Sequence, residues 1–131
     1  MPNRRKKDKL LKFNKYSKEL QSMGYSADTF ICPACLKHFS RKDIEDGLIS
    51  YAHVFPRYIK RIPKVVLVCG ECDRKQGRLS FFAKKYPLKE NCIERTICYS
   101  LFLNLFWEQG YKYIFSKEAN ILRNKFNSIC K

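Results

Sequence analysis

Cys32 and Cys35 enclose two residues, and Cys69 and Cys72 enclose two more. Each Cys-x-x-Cys pair lets one tight turn aim two thiolates at a single ion. Two such pairs supply the four sulfur donors of a tetrahedral structural zinc site. Residues 36–68 lie between them, enough chain for two hairpin strands and a loop. Inside that stretch His53 sits in Tyr51-Ala52-His53-Val54-Phe55-Pro56, and Asp73-Arg74-Lys75-Gln76-Gly77 follows the last cysteine. A zinc clasp on the four cysteines therefore brings His53 and Asp73 into one small unit, which has a chemical reading as well as a structural one.

The elements that must position these residues are legible in outline. Residues 4–23 read as a helix, with Leu10, Phe13, Tyr16 and Leu20 on one face, lysines on the rest and Gly24 as the stop. Residues 29–40 hold a first metal knuckle whose turn is Cys32-Pro33-Ala34-Cys35, and Asp43 to Asp46 start a short turn or helix. Ser50 to Phe55 read as a strand stopped by Pro56, and residues 57–64 as a basic loop. Val65-Val66-Leu67-Val68 is the clearest strand, and it runs straight into Cys69. Cys72 is expected to open a helix carrying Asp73, Arg74 and Lys75; Asp73 is alternatively only its N-cap.

The C-terminal third reads as helical. Asn91-Cys92-Ile93-Glu94 is a capping-box-like start. Ile93, Ile97, Leu101 and Leu105 recur every four residues, and Phe102, Phe106 and Trp107 widen that apolar face. Gly110 ends the helix. Ser116 caps a last one with Ala119, Leu122, Phe126 and Ile129 on one side. The expected organisation is a basic N-terminal helix or arm (1–28), a zinc-binding core (29–88) and a helical extension (89–131), in the α+β class.

Composition bounds the partners. The chain has 131 residues, 45% hydrophobic and 15% aromatic, so it can bury a core. The charged, proline-interrupted middle needs a metal to hold it. Lys and Arg number 27 against 12 acids, a formal charge of +15. Such an excess points to a polyanion, most often nucleic acid. Arg57, Lys60, Arg61, Arg74, Lys75 and Arg78 cluster around the zinc motif and are the candidate phosphate contacts. No apolar segment follows the basic start, and no run of about 18 apolar residues exists to span a membrane. The expected setting is the reducing cytoplasm, where such pairs bind metal instead of forming disulfides. Cys92, Cys98 and Cys130 read as buried small hydrophobes.

Residues 30–80 resemble the HNH endonuclease family, the ββα-metal nucleases in their zinc-bearing form. The resemblance rests on Cys32-Pro33-Ala34-Cys35, Ala52-His53-Val54-Phe55-Pro56 and Cys69-Gly70-Glu71-Cys72-Asp73-Arg74-Lys75-Gln76-Gly77. It implies a treble-clef zinc ββα core in which a hairpin strand bears the histidine and a helix crosses it. It implies DNA phosphodiester hydrolysis or nicking, with His53 as general base and Asp73 at the position that binds a catalytic Mg²⁺ or Mn²⁺, separate from the structural Zn²⁺. Two departures stand in the sequence. Ala52 occupies the place of the acid usually found before the histidine, and the chain has only two histidines. Glu71, Asp46 and Glu45 are the carboxylates that could replace the missing ligand. The alternatives are a non-catalytic zinc-finger protein that binds nucleic acid, or a small subunit of a larger nucleic-acid-processing complex. A protein partner or self-association would then use the C-terminal helices.

Overall fold

Helix α1 (Pro2–Ser22) begins on a proline, whose fixed φ suits the first helical position. It ends where Gly24 adopts φ +99. There the Tyr25 N–H reaches the Leu20 carbonyl (3.0 Å) and the Gly24 N–H reaches that of Gln21 (3.1 Å), a Schellman closure. The protein, seen in a computed structural model, is described over residues 2–54, 64–75 and 90–128. Two strands follow α1: β1 (Thr29–Ile31) pairs antiparallel with β2 (His38–Ser40), with Phe30 opposite Phe39. Next comes α2 (Arg41–Glu45), whose start is held by the Ser40 N–H donating to the Asp43 carboxylate at 2.7 Å.

The second sheet carries the central residues. Strand β3 (Ile49–His53) pairs antiparallel with β4 (Val65–Cys69), with Ile49 opposite Cys69 and His53 opposite Val65. The chain then turns directly into α3, helical over residues 70–75. The later elements are α4 (Glu90–Gln109), α5 (Tyr111–Ile114) and α6 (Lys117–Ser128). The architecture is thus mixed α+β, with two small antiparallel sheets between an N-terminal helix and C-terminal helices.

One core joins these elements. Phe13, Tyr16 and Leu20 of α1 meet Phe30 of β1, Val66, Leu67 and Val68 of β4, Phe102 and Phe106 of α4, and Phe126 of α6. Tyr16 and Phe106 stack at 5.1 Å between ring centroids, and Tyr111 sits edge-on to both. Ser116 caps α6 as its sequence position implies, its Oγ accepting from the Ala119 N–H at 3.1 Å.

The face of α4 differs from the four-residue repeat. Ile97 and Leu101 are 62% and 48% exposed, and Trp107 is 41% exposed. Cys98, Tyr99, Phe102, Leu103 and Phe106 are buried instead. Steps of four residues drift about 40° each around a helix, so the repeat winds off the core. Tyr99, Phe102 and Phe106 bury large rings and take the inward side, while Trp107 stays at the rim.

Candidate metal centre

The first knuckle forms between β1 and β2. The Cys32 N–H donates to the Lys37 carbonyl (3.0 Å), and the Leu36 N–H donates to the Cys32 carbonyl (2.8 Å). This loop folds the chain tightly enough that Leu36 adopts φ +64, a left-handed conformation that a branched side chain resists. The second pair sits where β4 becomes α3. Cys69 is the last residue of β4, and its Sγ accepts from the Cys72 N–H at 3.5 Å. Cys69 is thus itself the N-cap. This corrects the expected helix start: α3 begins at residue 70, not at Cys72. Asp73 therefore lies inside the helix and cannot be its N-cap.

The Sγ atoms of Cys32, Cys35, Cys69 and Cys72 all lie within 4.8 Å of one another. Those of Cys35 and Cys69 are 3.7 Å apart, far beyond the roughly 2.05 Å of a disulfide. A zinc ion about 2.3 Å from four tetrahedral sulfurs would set them about 3.8 Å apart. The donor set therefore fits zinc in chemistry and size. Cys32 and Cys69 are buried and Cys35 and Cys72 half-buried. Hydrogen bonds from Cys32, and then from its other two neighbours, hold the Cys69 thiol far below the usual range. The Cys32 contact likewise draws Cys35 down to about 7, while Cys32 and Cys72 are pushed up by the thiols around them. Four crowded sulfurs cannot all carry charge unaided, and a divalent cation supplies the missing compensation. When bound, zinc would tie β1, β4 and α3 together as a structural cross-link.

Three residues that sequence reasoning passed over hold this knuckle from behind. Arg123 of α6, only 6% exposed, donates from Nε to the Pro33 carbonyl and from Nη2 to the Ile114 carbonyl, both at 2.9 Å. Asn127 Nδ2 approaches the Ala34 carbonyl at 3.5 Å. The buried Tyr111 hydroxyl donates to the Ile31 carbonyl at 2.6 Å, just before Cys32. A signal for Arg123 exists in the sequence: it is a charge among Ala119, Leu122 and Phe126 on the apolar side of α6.

The other expected residues fall as follows. His53 ends β3 and is exposed. Asp73 is half-buried in α3; burial raises its carboxyl above the ordinary value, and the charges of Arg74 and Lys9 pull it back. Arg74 and Lys75 are exposed on the same helix. Arg57, Lys60, Arg61 and Arg78 lie outside the described residues, as do Phe55, Pro56 and Gly77. Ala52 is buried at 4%, facing away from His53 because neighbours on a strand point to opposite faces. Among the described residues the four cysteines are the one group of three or more His, Cys, Asp or Glu that converges on a metal position. Glu71 instead reaches Lys37 at 3.5 Å in an exposed ion pair.

The chain is thus a compact zinc-binding module of ββα type: hairpin β3–β4, helix α3 and a four-cysteine cluster that joins their junction to the knuckle between β1 and β2. No protein-family model, curated protein or solved structure matches the chain. Among the described residues, no helix is long and apolar enough to cross a membrane.

Proposed function

We propose that this chain is a zinc-ordered nucleic-acid-binding module in which the metal is structural. The observation that carries the reading is the closed donor set. Four cysteine sulfurs converge within 4.8 Å, which completes tetrahedral coordination and leaves zinc no open position for water or substrate. The +15 charge then gives the ordered module its partner class, since each phosphate neutralised by Lys or Arg releases counterions. Arg74 and Lys75, with Arg57, Lys60, Arg61 and Arg78 nearby in sequence, are proposed phosphate contacts. The test is fluorescence anisotropy of the zinc-loaded chain on labelled DNA across a salt series. Binding that weakens steeply with salt supports the reading, and affinity that stays flat overturns it.

The HNH-type nuclease is the second reading. It draws support from the order β3–β4–α3, which carries His53 and Asp73 on the first and last elements of one unit. There His53 would act as base and Asp73 would hold a Mg²⁺ or Mn²⁺ ion. The buried Ala52 and the lack of a second converging group among the described residues weigh against it. Nicking of supercoiled DNA with either ion, lost in His53→Ala, would restore it.

A further inference from the structure

The lysines of α1 whose side chains are described divide into two sets. Lys9 and Lys12 lie against the body of the protein, their ammonium groups 5.5 Å from the Tyr51 ring centroid and 5.7 Å from that of Trp107. Lys7, Lys15 and Lys18 are exposed, and none has an acidic partner among the described residues. At about 100° per residue these three fall, with Leu11, within an arc of about 80°. That arc lies opposite the buried Phe13, Tyr16 and Leu20.

We infer that this line is a docking surface for the phosphate backbone of a nucleic-acid duplex; the inference rests on the nucleic-acid reading above and adds a surface to it. Unpaired cations along a rigid helix complement a polyanion. An anionic membrane fits less well. A membrane-surface helix must bury an apolar face in lipid, and the apolar face of α1 is already buried in the core. The outward line offers a single apolar residue, Leu11. The spacing favours a duplex over a single strand. Lys7 and Lys15 are about 12 Å apart along the axis at 1.5 Å per residue, close to the roughly 12 Å width of a major groove. Lys7 on one side and Lys15 with Lys18 on the other would meet phosphates flanking that groove.

The test compares two triple variants of the zinc-loaded full chain with wild type, using a labelled DNA duplex and the matching single strand over a salt series. One variant is Lys7→Gln, Lys15→Gln, Lys18→Gln. The other removes the same charge elsewhere: Lys42→Gln, Lys112→Gln, Lys117→Gln, all exposed on other helices. The α1 variant should lower the slope of log affinity against log salt by about 3, roughly one per lysine. The control should leave it nearly unchanged, and wild type should bind the duplex more tightly than the single strand. Equal slope changes in the two variants, or none in the α1 variant while wild type binds, would overturn the α1 surface alone. A single strand bound as tightly as the duplex would overturn the duplex assignment. Wild type that binds neither nucleic acid removes the underlying reading as well. Circular dichroism and zinc content, unchanged in both variants, separate these outcomes from misfolding.

Discussion

Arg123 Nε donates to the Pro33 carbonyl at 2.9 Å, so the last helix of the chain grips the turn between the first two cysteines. The guanidinium is buried without a carboxylate beside it among the described residues; its bonds go to the Pro33 and Ile114 carbonyls and to Asn120 Oδ1. Burial lowers the guanidinium pKa, and Tyr113, followed by the cysteines of the knuckle, opposes that shift. A Zn²⁺ ion held by four thiolates would carry two net negative charges, and the Arg123 guanidinium, bonded to the Pro33 carbonyl of the knuckle, would supply a counter-charge. Arg123→Met should cost about 3 kcal/mol, since each hydrogen bond from a charged donor contributes about 1.5–3 kcal/mol. Arg123→Lys should lose part of that, because an ammonium cannot span both carbonyls. Denaturant midpoints of the zinc-loaded proteins check this. Faster zinc loss to a coloured chelator should accompany both variants, and an unchanged release rate would refute the link to the knuckle.

Zinc itself should be present at one ion per chain by elemental analysis. Structural zinc contributes on the order of 10 kcal/mol in small domains. Cys69→Ser should therefore abolish stoichiometric zinc and melt the β3–β4 hairpin together with α3. Binding requires thiolates, so lowering the pH adds proton competition and should weaken retention. A chelator titration at pH 5.5 and 7.5 should show easier stripping at the lower pH. Folded protein that contains no metal would refute the centre.

Leu36 holds its place in the knuckle with a left-handed backbone, φ +64, while its side chain is 37% exposed. Leu36→Gly should remove strain of about 1–2 kcal/mol. Extra chain entropy in the unfolded state offsets part of this, by about 0.4–1 kcal/mol. The expected result is a small net gain in stability, with Leu36→Val, branched at Cβ, moving the opposite way. Thermal melts of the zinc-loaded variants decide it, and a destabilised glycine variant would show that the Leu36 side chain matters more than its backbone.

Gly110 should tolerate no larger residue. Its φ is +69, and an added Cβ would fall on the Glu19 carboxylate. That carboxylate accepts from the Tyr111 N–H at 3.1 Å. Gly110→Ala should thus strain the backbone and displace the acceptor together, at a cost of about 1–3 kcal/mol. The double variant with Glu19→Ala should be less destabilised than the two single losses added. Full additivity in urea unfolding would show that the two residues do not meet.

His53→Ala should leave zinc content and DNA affinity unchanged, because the exposed His53 is not a zinc ligand. Under the non-catalytic reading, wild type and variant should be equally inert on supercoiled DNA with Mg²⁺ or Mn²⁺. Ala52→Asp offers no simple route to activity, since position 52 is buried on the opposite face of β3. Its expected effect is destabilisation from a buried carboxylate. Metal-dependent nicking by that variant would show that the strand can rearrange to present an acid.

The sequence by itself determined the two halves of the metal centre, because Cys-x-x-Cys spacing is local and each pair needs only its own turn; the fold brought the halves together. It likewise determined where α1 stops and where α6 begins, since Gly24 and Ser116 act on backbone groups within a few residues. The four-residue repeat in α4 misled because several apolar stripes lie on that helix, and only packing against α6, α5, β4 and Tyr16 of α1 chose among them. The start of α3 depended on a cysteine sulfur serving as cap, which residue propensities do not reveal. Tertiary structure alone joined Arg123 to Pro33 and Tyr111 to Ile31. Those contacts bridge distant parts of the chain, and burying such polar groups is tolerated only because each finds its hydrogen-bond partner there. It alone also divided the α1 lysines, turning Lys9 and Lys12 toward rings supplied by β3 and α4 and leaving Lys7, Lys15 and Lys18 in water. A run of like charges in a sequence has no inside or outside until a core forms beneath it.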